Sequence, residues 1–545
     1  MVQSLRGADI VIQALERQGV SRVFTLSGNH IMSLFDAALG RPIDLVHVRH
    51  EAAAVHMADA WGRLTGDPGV AMVTGGPGHA NAVGALFTAL GAESPMVLLS
   101  GHAATWELGR GGFQELDQVA MAAPVTKASW MARSVATLAE DVGRAIDLAR
   151  CDRPGPVHVS LPSDLLDKDI RRDLVSWPQS RAKVGVALHE GIADTVLAAL
   201  QTAERPVILA GPHLSSRVGR TLLAELEQAT QVPTVVLESP RGVADATIGA
   251  FADIMRRADL VLLLGKALDF TVRWIAPPVA DKSALLIVLD PDGDLVARAA
   301  REKREELLIG AVSDSMLAAR TLIVRAKLCN LRSPAWLAEA RAAIEARPRA
   351  WEGLSSNSPG RLHPIEVFGA LGPVIARDPA TILICDGGEF AQWGQCLLKA
   401  PRRMINSVSG AIGAGLPFAL AARMHDAQAP IFAVMGDGTF GFHMAEIETA
   451  VRRQLPFVAI VGNDACWNAE SQLQRRHYGE NRMHGCKLLP ARYDLVANAL
   501  GGHGELVEAP DQMDGAITRA MASGKPAVVN VMTQSIPAPA LERQA

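Results

Sequence analysis

Short apolar runs, each too brief for a helix, alternate along this chain with longer stretches whose apolar positions recur at helical spacing. Ile10, Val11, Ala14 and Leu15 fall on one face of a helix predicted over Ala8 to Gln18, and Val23-Phe24-Thr25-Leu26 reads as a strand. Leu45-Val46-His47-Val48, Val70-Ala71-Met72-Val73 and Met96-Val97-Leu98-Leu99 are further strands, with helices such as Glu51 to Leu64 between them. Strands that are apolar on both faces and separated by helices predict a parallel sheet covered on both sides. The pattern repeats at Val207 to Ala210, Thr234 to Leu237, Leu260 to Leu264 and Leu285 to Leu289, then again at Pro430 to Met435, Pro456 to Val461 and Ala527 to Met532. Charged, proline-bearing Asp164 to Val186 reads as a linker, as does turn-rich Ser355 to Gly360 after a helical Pro334 to Trp351. The prediction is an α/β chain of three consecutive domains, each a mainly parallel sheet flanked by helices, over residues 1–180, 186–330 and 355–545.

A length of 545 residues exceeds what one hydrophobic core supports and agrees with that division. With 49% hydrophobic and 20% charged residues the chain reads as a globular protein with a large interior. The charged share falls a little below the roughly 25% average, which fits extra burial in an oligomer. A net charge of −4 gives no electrostatic case for nucleic acid or an anionic membrane as partner. Six cysteines without CxxC spacing read as reduced thiols, Met1 to Gly19 lacks a signal-peptide pattern, and no apolar stretch is long enough for a membrane span. The expected location is cytoplasmic.

Three clusters carry candidate chemistry. Gly436-Asp437-Gly438 follows one apolar run, and Asn463 follows the next. Both fall at the C-terminal ends of predicted parallel strands, the edge where open α/β sheets bind ligands. Asp and Asn oxygens are hard donors suited to Mg²⁺, and flanking glycines let backbone N–H groups approach a diphosphate. The interval leaves room for one crossover helix, Phe442 to Gln454. An Asp-Gly turn and a helix-capping Asn would look the same. Glu51, in Arg49-His50-Glu51-Ala52-Ala53-Ala54-Val55-His56, follows a buried strand. It reads either as a carboxylate favoured at a helix N-terminus or as a partly desolvated group able to exchange a proton with a bound heterocycle. Thr74-Gly75-Gly76-Pro77-Gly78-His79-Ala80-Asn81 is a glycine-rich strand-to-helix turn, open to close backbone approach or simply to tight packing.

Together, the Arg-His-Glu-Ala-Ala-Ala segment, the Thr-Gly-Gly-Pro-Gly turn and the Gly-Asp-Gly with its following Asn resemble the thiamine-diphosphate-dependent enzymes. The likeness covers essentially the whole chain and is greatest to the acetolactate synthase, benzaldehyde lyase and 2-hydroxyacyl-CoA lyase branch. It implies a thiamine-diphosphate-binding fold at both ends and a Rossmann-like middle domain. It also implies that Glu51 bonds the aminopyrimidine and drives the imino tautomer, whose nitrogen deprotonates the thiazolium C2. Asp437, Asn463 and the carbonyl of Ala465 match Mg²⁺ ligands, and Gly436, Gly438 and Thr439 match the diphosphate turn. Pro77 and Asn81 belong to the pyrimidine side. Gly410 would accept from the cofactor's amino group, Ile412 would wedge between its rings, and Glu389 and Phe390 would lie near the diphosphate. Gln114 and His30 match catalytic, substrate-facing residues, with Gly28 and Asn29 beside them. Trp467 and Asn468 would line the entrance.

Departures narrow the expectation. The family's Asn-Asn pair is Gly462-Asn463 here, followed by Asp464. Acetolactate synthases carry an Arg that grips a 2-oxo acid carboxylate where this chain has Thr271, and Arg273 replaces it only if the backbone shifts. That argues against typical acetolactate synthesis and against FAD. Leu268-Asp269-Phe270 looks more like the lyase side of the branch, whose middle domain holds ADP or nothing. The short tail Ser535 to Ala540 argues against a CoA substrate, while Arg475, Arg476, His477 and Lys487, beyond the metal loop, read as solvated surface charge or as groups that meet phosphates or a carboxylate.

The resemblance implies a carbon–carbon lyase or carboligase of 2-hydroxy or 2-oxo carbonyl compounds, working through a thiazolium carbanion and an enamine. An acetolactate synthase-type enzyme is the first alternative and a non-catalytic cofactor-binding homologue the second. Retention of Glu51 with Asp437 and Asn463 speaks against the latter. The implied partner is a small-molecule carbonyl substrate, and the implied assembly at least a homodimer, commonly a homotetramer.

Overall fold

The computed structural model describes residues 4–178, 185–327 and 334–540. Three separate, wholly parallel sheets follow one another along these residues. The first runs, edge to edge, Asp44–His47, Arg22–Thr25, Gly69–Val73, Met96–His102, Pro156–Pro162 and Ala128–Met131. The second is Thr234–Val236, Pro206–Ala210, Leu260–Leu264, Leu285–Asp290 and Leu307–Val312. The third is Arg402–Ile405, Ile382–Asp386, Ile431–Gly436, Phe457–Asn463, Pro526–Met532 and His503–Val507.

Numbered in chain order within each sheet, both six-stranded sheets run 2-1-3-4-6-5 and the five-stranded one runs 2-1-3-4-5. Strand order therefore reverses between the first and third strands of every sheet. A crevice opens there at the carboxyl ends, because the connections leave toward opposite faces. In the first sheet the residues beyond those ends are Leu26 to His30 and the Thr74 to Asn81 turn. In the third sheet they begin with Asp386 and Asp437.

Most predicted strands and helices recur within a residue or two; the strand at Met96 runs on to His102, the helix from Pro334 ends at Glu345 rather than Trp351, and two further segments differ. The single crossover helix expected over Phe442 to Gln454 is two short helices, Asp437–His443 and Glu446–Arg452. Gly438 and Gly441 each lower helix propensity by about 1 kcal/mol, which hides the first helix in the sequence. Its N-terminus is held by the Asp437 carboxylate, which accepts from the Gly438 amide. The expected linker after Asp164 also carries structure. Ser163–Asp167 is helical, and Asp169–Arg171 pairs antiparallel with Ser4–Arg6. Residues 179–184 of that segment lie outside the described residues.

One face of the first sheet has its own core, with Ile10, Leu15, Val97, Leu99 and Leu138 among its members. The other face shares a core with the third sheet. There the helix Glu51–Thr65 packs on the helix Gly415–His425, through positions that include Ala53, Ala54, Met57 and Ala58 on one side and Phe418, Ala419, Ala421 and Ala422 on the other. Alanines let two helices approach closely without opening voids. Polar bonds fix the register: the Arg49 amide donates to Glu446 Oε1 at 2.9 Å, and Arg63 Nη1 donates to the Ile405 carbonyl at 2.6 Å. No helix among the described residues is long and apolar enough to cross a membrane.

The middle sheet is tied to the first by Arg153, whose guanidinium pairs with Glu93 of the first unit and Asp290 of the second. Both carboxylates are buried, and Glu93 also accepts from the His213 amide at 3.1 Å. Burial pushes the Glu93 pKa up despite the neighbouring guanidinium. Removing the cation would strand two buried charges, a loss of about 3–5 kcal/mol. Arg153→Ala should therefore lower the melting temperature by several degrees. A melt unchanged from wild type would show that this triad does not hold the two units together.

Candidate active site

Glu51 occupies the first position of its helix and is buried. His50 caps that helix, its Nδ1 accepting from the Ala52 amide at 3.1 Å. The Glu51 carboxylate accepts from Asn81 Nδ2 at 3.1 Å, and a Cβ added at Gly78 would lie 3.4 Å from its other oxygen. The glycine-rich turn thus wraps the carboxylate. Within it Gly76 has φ +58°, and a Cβ there would come within 2.6 Å of the Gln114 carbonyl, so only glycine fits. Gln114 itself adopts φ +57° and is half-buried against this turn. Pro77 and Asn81 lie on the exposed side of the following helix, Pro77–Gly91.

His30 completes this half. Gly28 lets the chain cross Thr74, since a Cβ would meet that side chain at 2.4 Å, and Asn29 begins the short helical turn that delivers His30. The buried imidazole has Nδ1 3.3 Å from Thr74 Oγ1 and Nε2 3.2 Å from the Phe113 carbonyl, with the Phe113 ring stacked on it. Burial lowers its pKa, so the ring is neutral at pH 7. The structure thus brings Glu51, Asn81, Gln114 and His30 around one turn.

In the third unit, Asp437 is buried at the N-terminus of its short helix, and its Oδ2 has no hydrogen-bond partner. Burial raises its pKa to about 6. Asp464 is pushed to about 8, first by burial and then by the charge on Asp437. Asn463, at the end of the adjacent strand, donates through Nδ2 to the Ala491 carbonyl at 2.8 Å and to Asn530 Oδ1 at 3.1 Å. Its Oδ1 is thereby turned toward the loop, 3.3 Å from the Ala465 amide. Ala465 adopts φ +57°, and its carbonyl accepts from the Leu488 amide at 2.7 Å, so a cation would have to use the second lone pair. Among the described residues no group of three or more His, Cys, Asp or Glu is placed to hold a metal ion, so a metal here would have to draw on amide and carbonyl oxygens as well.

The neighbouring turns close on this centre. The Trp467 indole lies over Gly438, where a Cβ would approach it to 2.5 Å, and Thr439 packs against Gly387, which has φ +95°. Gly436 stays open beside them. Gly410 is exposed with φ +71°, and Ile412 is half-buried nearby. Three expected residues are held by partners that the sequence does not show. Phe390 is buried under Gly462 and beside Phe368. Glu389 lies 3.8 Å from Arg241 and accepts from the Ala538 amide at 2.6 Å. Asn468 is pinned to the C-terminal tail, donating to the Ile536 carbonyl at 2.7 Å and accepting from Ser535 Oγ at 2.9 Å.

Residues 5–121 match the family model described as the N-terminal TPP binding domain of thiamine pyrophosphate enzymes, and residues 386–531 match the C-terminal TPP binding domain. A probable acetolactate synthase of Mycobacterium bovis is 32% identical, with 97% of this chain and 96% of that protein covered. The chain belongs to the thiamine-diphosphate-dependent enzymes. The 2-hydroxyacyl-CoA lyase 2 of Danio rerio is 29% identical over 96% of this chain and 91% of its own length. A catabolic acetolactate synthase of Raoultella terrigena is 29% identical, covering 97% and 95% respectively. The chain is thus a thiamine-diphosphate enzyme of the acetolactate synthase and 2-hydroxyacyl-CoA lyase branch.

Three further residues shape this candidate site without belonging to any motif of the sequence. Asp386 ends its apolar strand as Asp437 follows the strand paired beside it, and its Oδ2 accepts from the amides of Gly413 and Gly415 at 3.0 and 2.6 Å. It therefore bends the segment carrying Gly410 and Ile412. Gln118 accepts from the Gly76 amide at 2.8 Å and donates to Ser160 Oγ at 2.9 Å, bracing the glycine turn. Asn530, which turns Asn463, is a lone amide inside the apolar strand Pro526–Met532. A polar residue interrupting or ending an apolar strand is the signal common to Asp386 and Asn530.

Burial raises the Asp386 pKa to about 7 from an ordinary 3.8. A carboxyl raised in the fold stabilises it while protonated. That contribution is complete below the unfolded value and is lost as pH rises through about 7. Between these limits wild-type stability should fall relative to Asp386→Asn by up to roughly 1.4 kcal/mol per pH unit. Melting curves of both proteins across that window test this. A wild-type-to-variant difference independent of pH would refute it.

Proposed function

We propose that this thiamine-diphosphate enzyme makes or breaks a carbon–carbon bond beside a carbonyl in 2-hydroxy or 2-oxo compounds, with Mg²⁺ anchoring the cofactor's diphosphate. The observation that carries the reading is Glu51, buried against the glycine-rich turn and held by Asn81. When bound, thiamine diphosphate supplies the nucleophilic carbon and the electron sink for this bond chemistry. On this reading Glu51 holds the proton that sets the tautomer of the aminopyrimidine. Asn81 fixes the carboxylate and Gln118 steadies the turn beneath it. His30, which meets the Phe113 carbonyl next to Gln114, would exchange a proton with a substrate hydroxyl that displaces this contact.

The donor set in the third unit fits the metal. Asp437 Oδ2 is buried without a partner, and a divalent cation would satisfy it together with Asn463 Oδ1. Residues 355–545 then hold the diphosphate, residues 1–180 the pyrimidine, and residues 186–330 flank the substrate side. Exposed Pro77, Asn81, Gly84 and Phe87 form one face of an otherwise buried helix. That face supports an assembly, at least a homodimer and in the larger form a homotetramer, in which two chains complete each site.

Thr271 favours the lyase reading over acetolactate synthesis. It is buried, with its amide and hydroxyl bonded to Asp269 at 2.9 and 2.6 Å, and offers no cation to a second 2-oxo acid. Acetolactate synthase-type condensation is the second reading, supported by the likeness to the mycobacterial protein.

Glu51→Gln should keep cofactor affinity within a few-fold while slowing exchange of the thiazolium C2 proton roughly 10²- to 10⁴-fold. Exchange at the wild-type rate would remove Glu51 from the mechanism. Asp437→Ala should abolish Mg²⁺-dependent cofactor binding by calorimetry, and retained binding would displace the metal to other residues. Products formed from pyruvate, aromatic aldehydes, oxalyl-CoA and 2-hydroxyacyl-CoA, offered in parallel, distinguish the two readings. Acetolactate as the main product would overturn the first.

A further inference from the structure

The strands of the first sheet are apolar except for a few polar side chains, and several of these meet. Register sets Ser129 opposite His158 and Ser100 opposite Ser160, so all four share one face of the sheet. Beside them lies buried Gln118, at the start of the short helix Gln118–Ala122. Its amide faces two backbone groups of fixed character. Oε1 accepts from the Gly76 amide at 2.8 Å, and Nε2 donates to the Gly101 carbonyl at 3.1 Å. Turning the amide over would set N–H against N–H and oxygen against oxygen, so one orientation survives. The second Nε2 proton goes to Ser160 Oγ at 2.9 Å. Ser160 Oγ lies 3.4 Å from His158 Nε2, and His158 Nδ1 lies 2.8 Å from Ser129 Oγ. Ser129 donates to the Val119 carbonyl at 3.0 Å, which returns the chain of bonds to the residue after Gln118.

The direction of these bonds follows from their two ends. Ser160 accepts from Gln118, so its own proton points to His158 Nε2, which must be bare. Ser129 gives its proton to the Val119 carbonyl and accepts from His158 Nδ1. Both ends require one tautomer of His158, neutral and protonated on Nδ1. The opposite tautomer would leave the buried Ser160 proton facing an N–H. Burial holds the His158 ring neutral, far below the ordinary imidazole pKa. The His79 ring lies against it with centroids 4.5 Å apart, its Nδ1 2.9 Å from Ser100 Oγ, and burial lowers its pKa to about 4.

We propose that His158, locked in this tautomer, is a positioning residue for the cofactor chemistry: through Ser160 it fixes the Gln118 amide, and through Gln118 the spacing between the glycine-rich turn and the loop that bears Gln114. That loop runs directly into Gln118, and its Phe113 and Gln114 carbonyls lie against His30 and Gly76. On the other side of the turn, Gly78 faces the Glu51 carboxylate and Asn81 bonds it. A turn released at Gly76 would therefore carry the partners of Glu51 with it. A displacement of about 1 Å at such a place costs roughly 10²-fold in rate. The proposal rests on the role given to Glu51 above and adds a group that touches neither cofactor nor substrate.

The test uses the full chain loaded with thiamine diphosphate and Mg²⁺. Ser160→Ala, Ser129→Ala and His158→Leu should each slow C2 proton exchange on the bound cofactor, and kcat with it, roughly tenfold or more. KM and the cofactor's dissociation constant should stay within about twofold. Ser160→Thr keeps the hydroxyl and should recover most of the exchange rate. Arg153→Ala, which loosens the fold elsewhere, should leave exchange unchanged, so lost stability alone does not account for the effect. Imidazole nitrogen NMR should place the His158 proton on Nδ1, unchanged across neutral pH, with a signal that Ser160→Ala shifts. A proton on Nε2, or wild-type exchange in both Ser160→Ala and His158→Leu, would overturn the proposal. Slow exchange in Glu51→Gln with wild-type exchange in these variants removes His158 alone, whereas wild-type exchange in Glu51→Gln removes the reading of Glu51 itself.

Discussion

The contact on which the rest of this molecule depends is the apposition of two alanine-rich helices, Glu51–Thr65 and Gly415–His425, across the first and third units. It merges one face of each end sheet into a single core. Because Glu51 begins one of these helices, its position follows from that packing. Gly413 and Gly415, at the start of the other helix, bond Asp386 and so fix the bend that carries Gly410 and Ile412. Larger side chains at Ala54 or Ala58 would push the two sheets apart in a core already packed near crystal density.

The middle sheet is held differently. Its ties to its neighbours include buried ion pairs: Arg153 between Glu93 and Asp290, and Arg403 on Glu238. Such pairs specify geometry more than they add stability, since desolvation offsets much of the attraction. An apolar seam joins the two units that match TPP binding domains, and these charged ties hold the middle unit to them.

Much of this was legible in the chain. Apolar runs gave the strands because a parallel sheet buried on both faces needs uninterrupted Val, Ile and Leu. Asp437, Asn463 and Glu51 stand out because each is a polar residue within three residues of the end of such a run. Asp386 carries the same mark and was passed over, as its role depends on Gly413 and Gly415 folding back from 27 and 29 residues away. The Asp437–His443 helix was hidden by its glycines, whose low propensity is outweighed by the fixed ends of the crossover. Glu389, Phe390 and Asn468 were placed by their sequence neighbours, but their side chains obey contacts with Arg241, Phe368 and the tail.

The sequence by itself determined the sheets, their parallel sense and the family, because these depend on local periodicity and on residues bound to particular strand ends. Tertiary structure decided which side chains share a space. The encounter of Asn81 with Glu51, the turning of Asn463 by Asn530 and the arrival of Arg273 beside Arg241 each join residues far apart along the chain. For Arg273 the deciding term is backbone conformation. Three consecutive left-handed residues are unfavourable locally and persist only because Asp269 and Lys303 hold them. No local pattern encodes that outcome, since the bonds that enforce it exist only once the chain has folded.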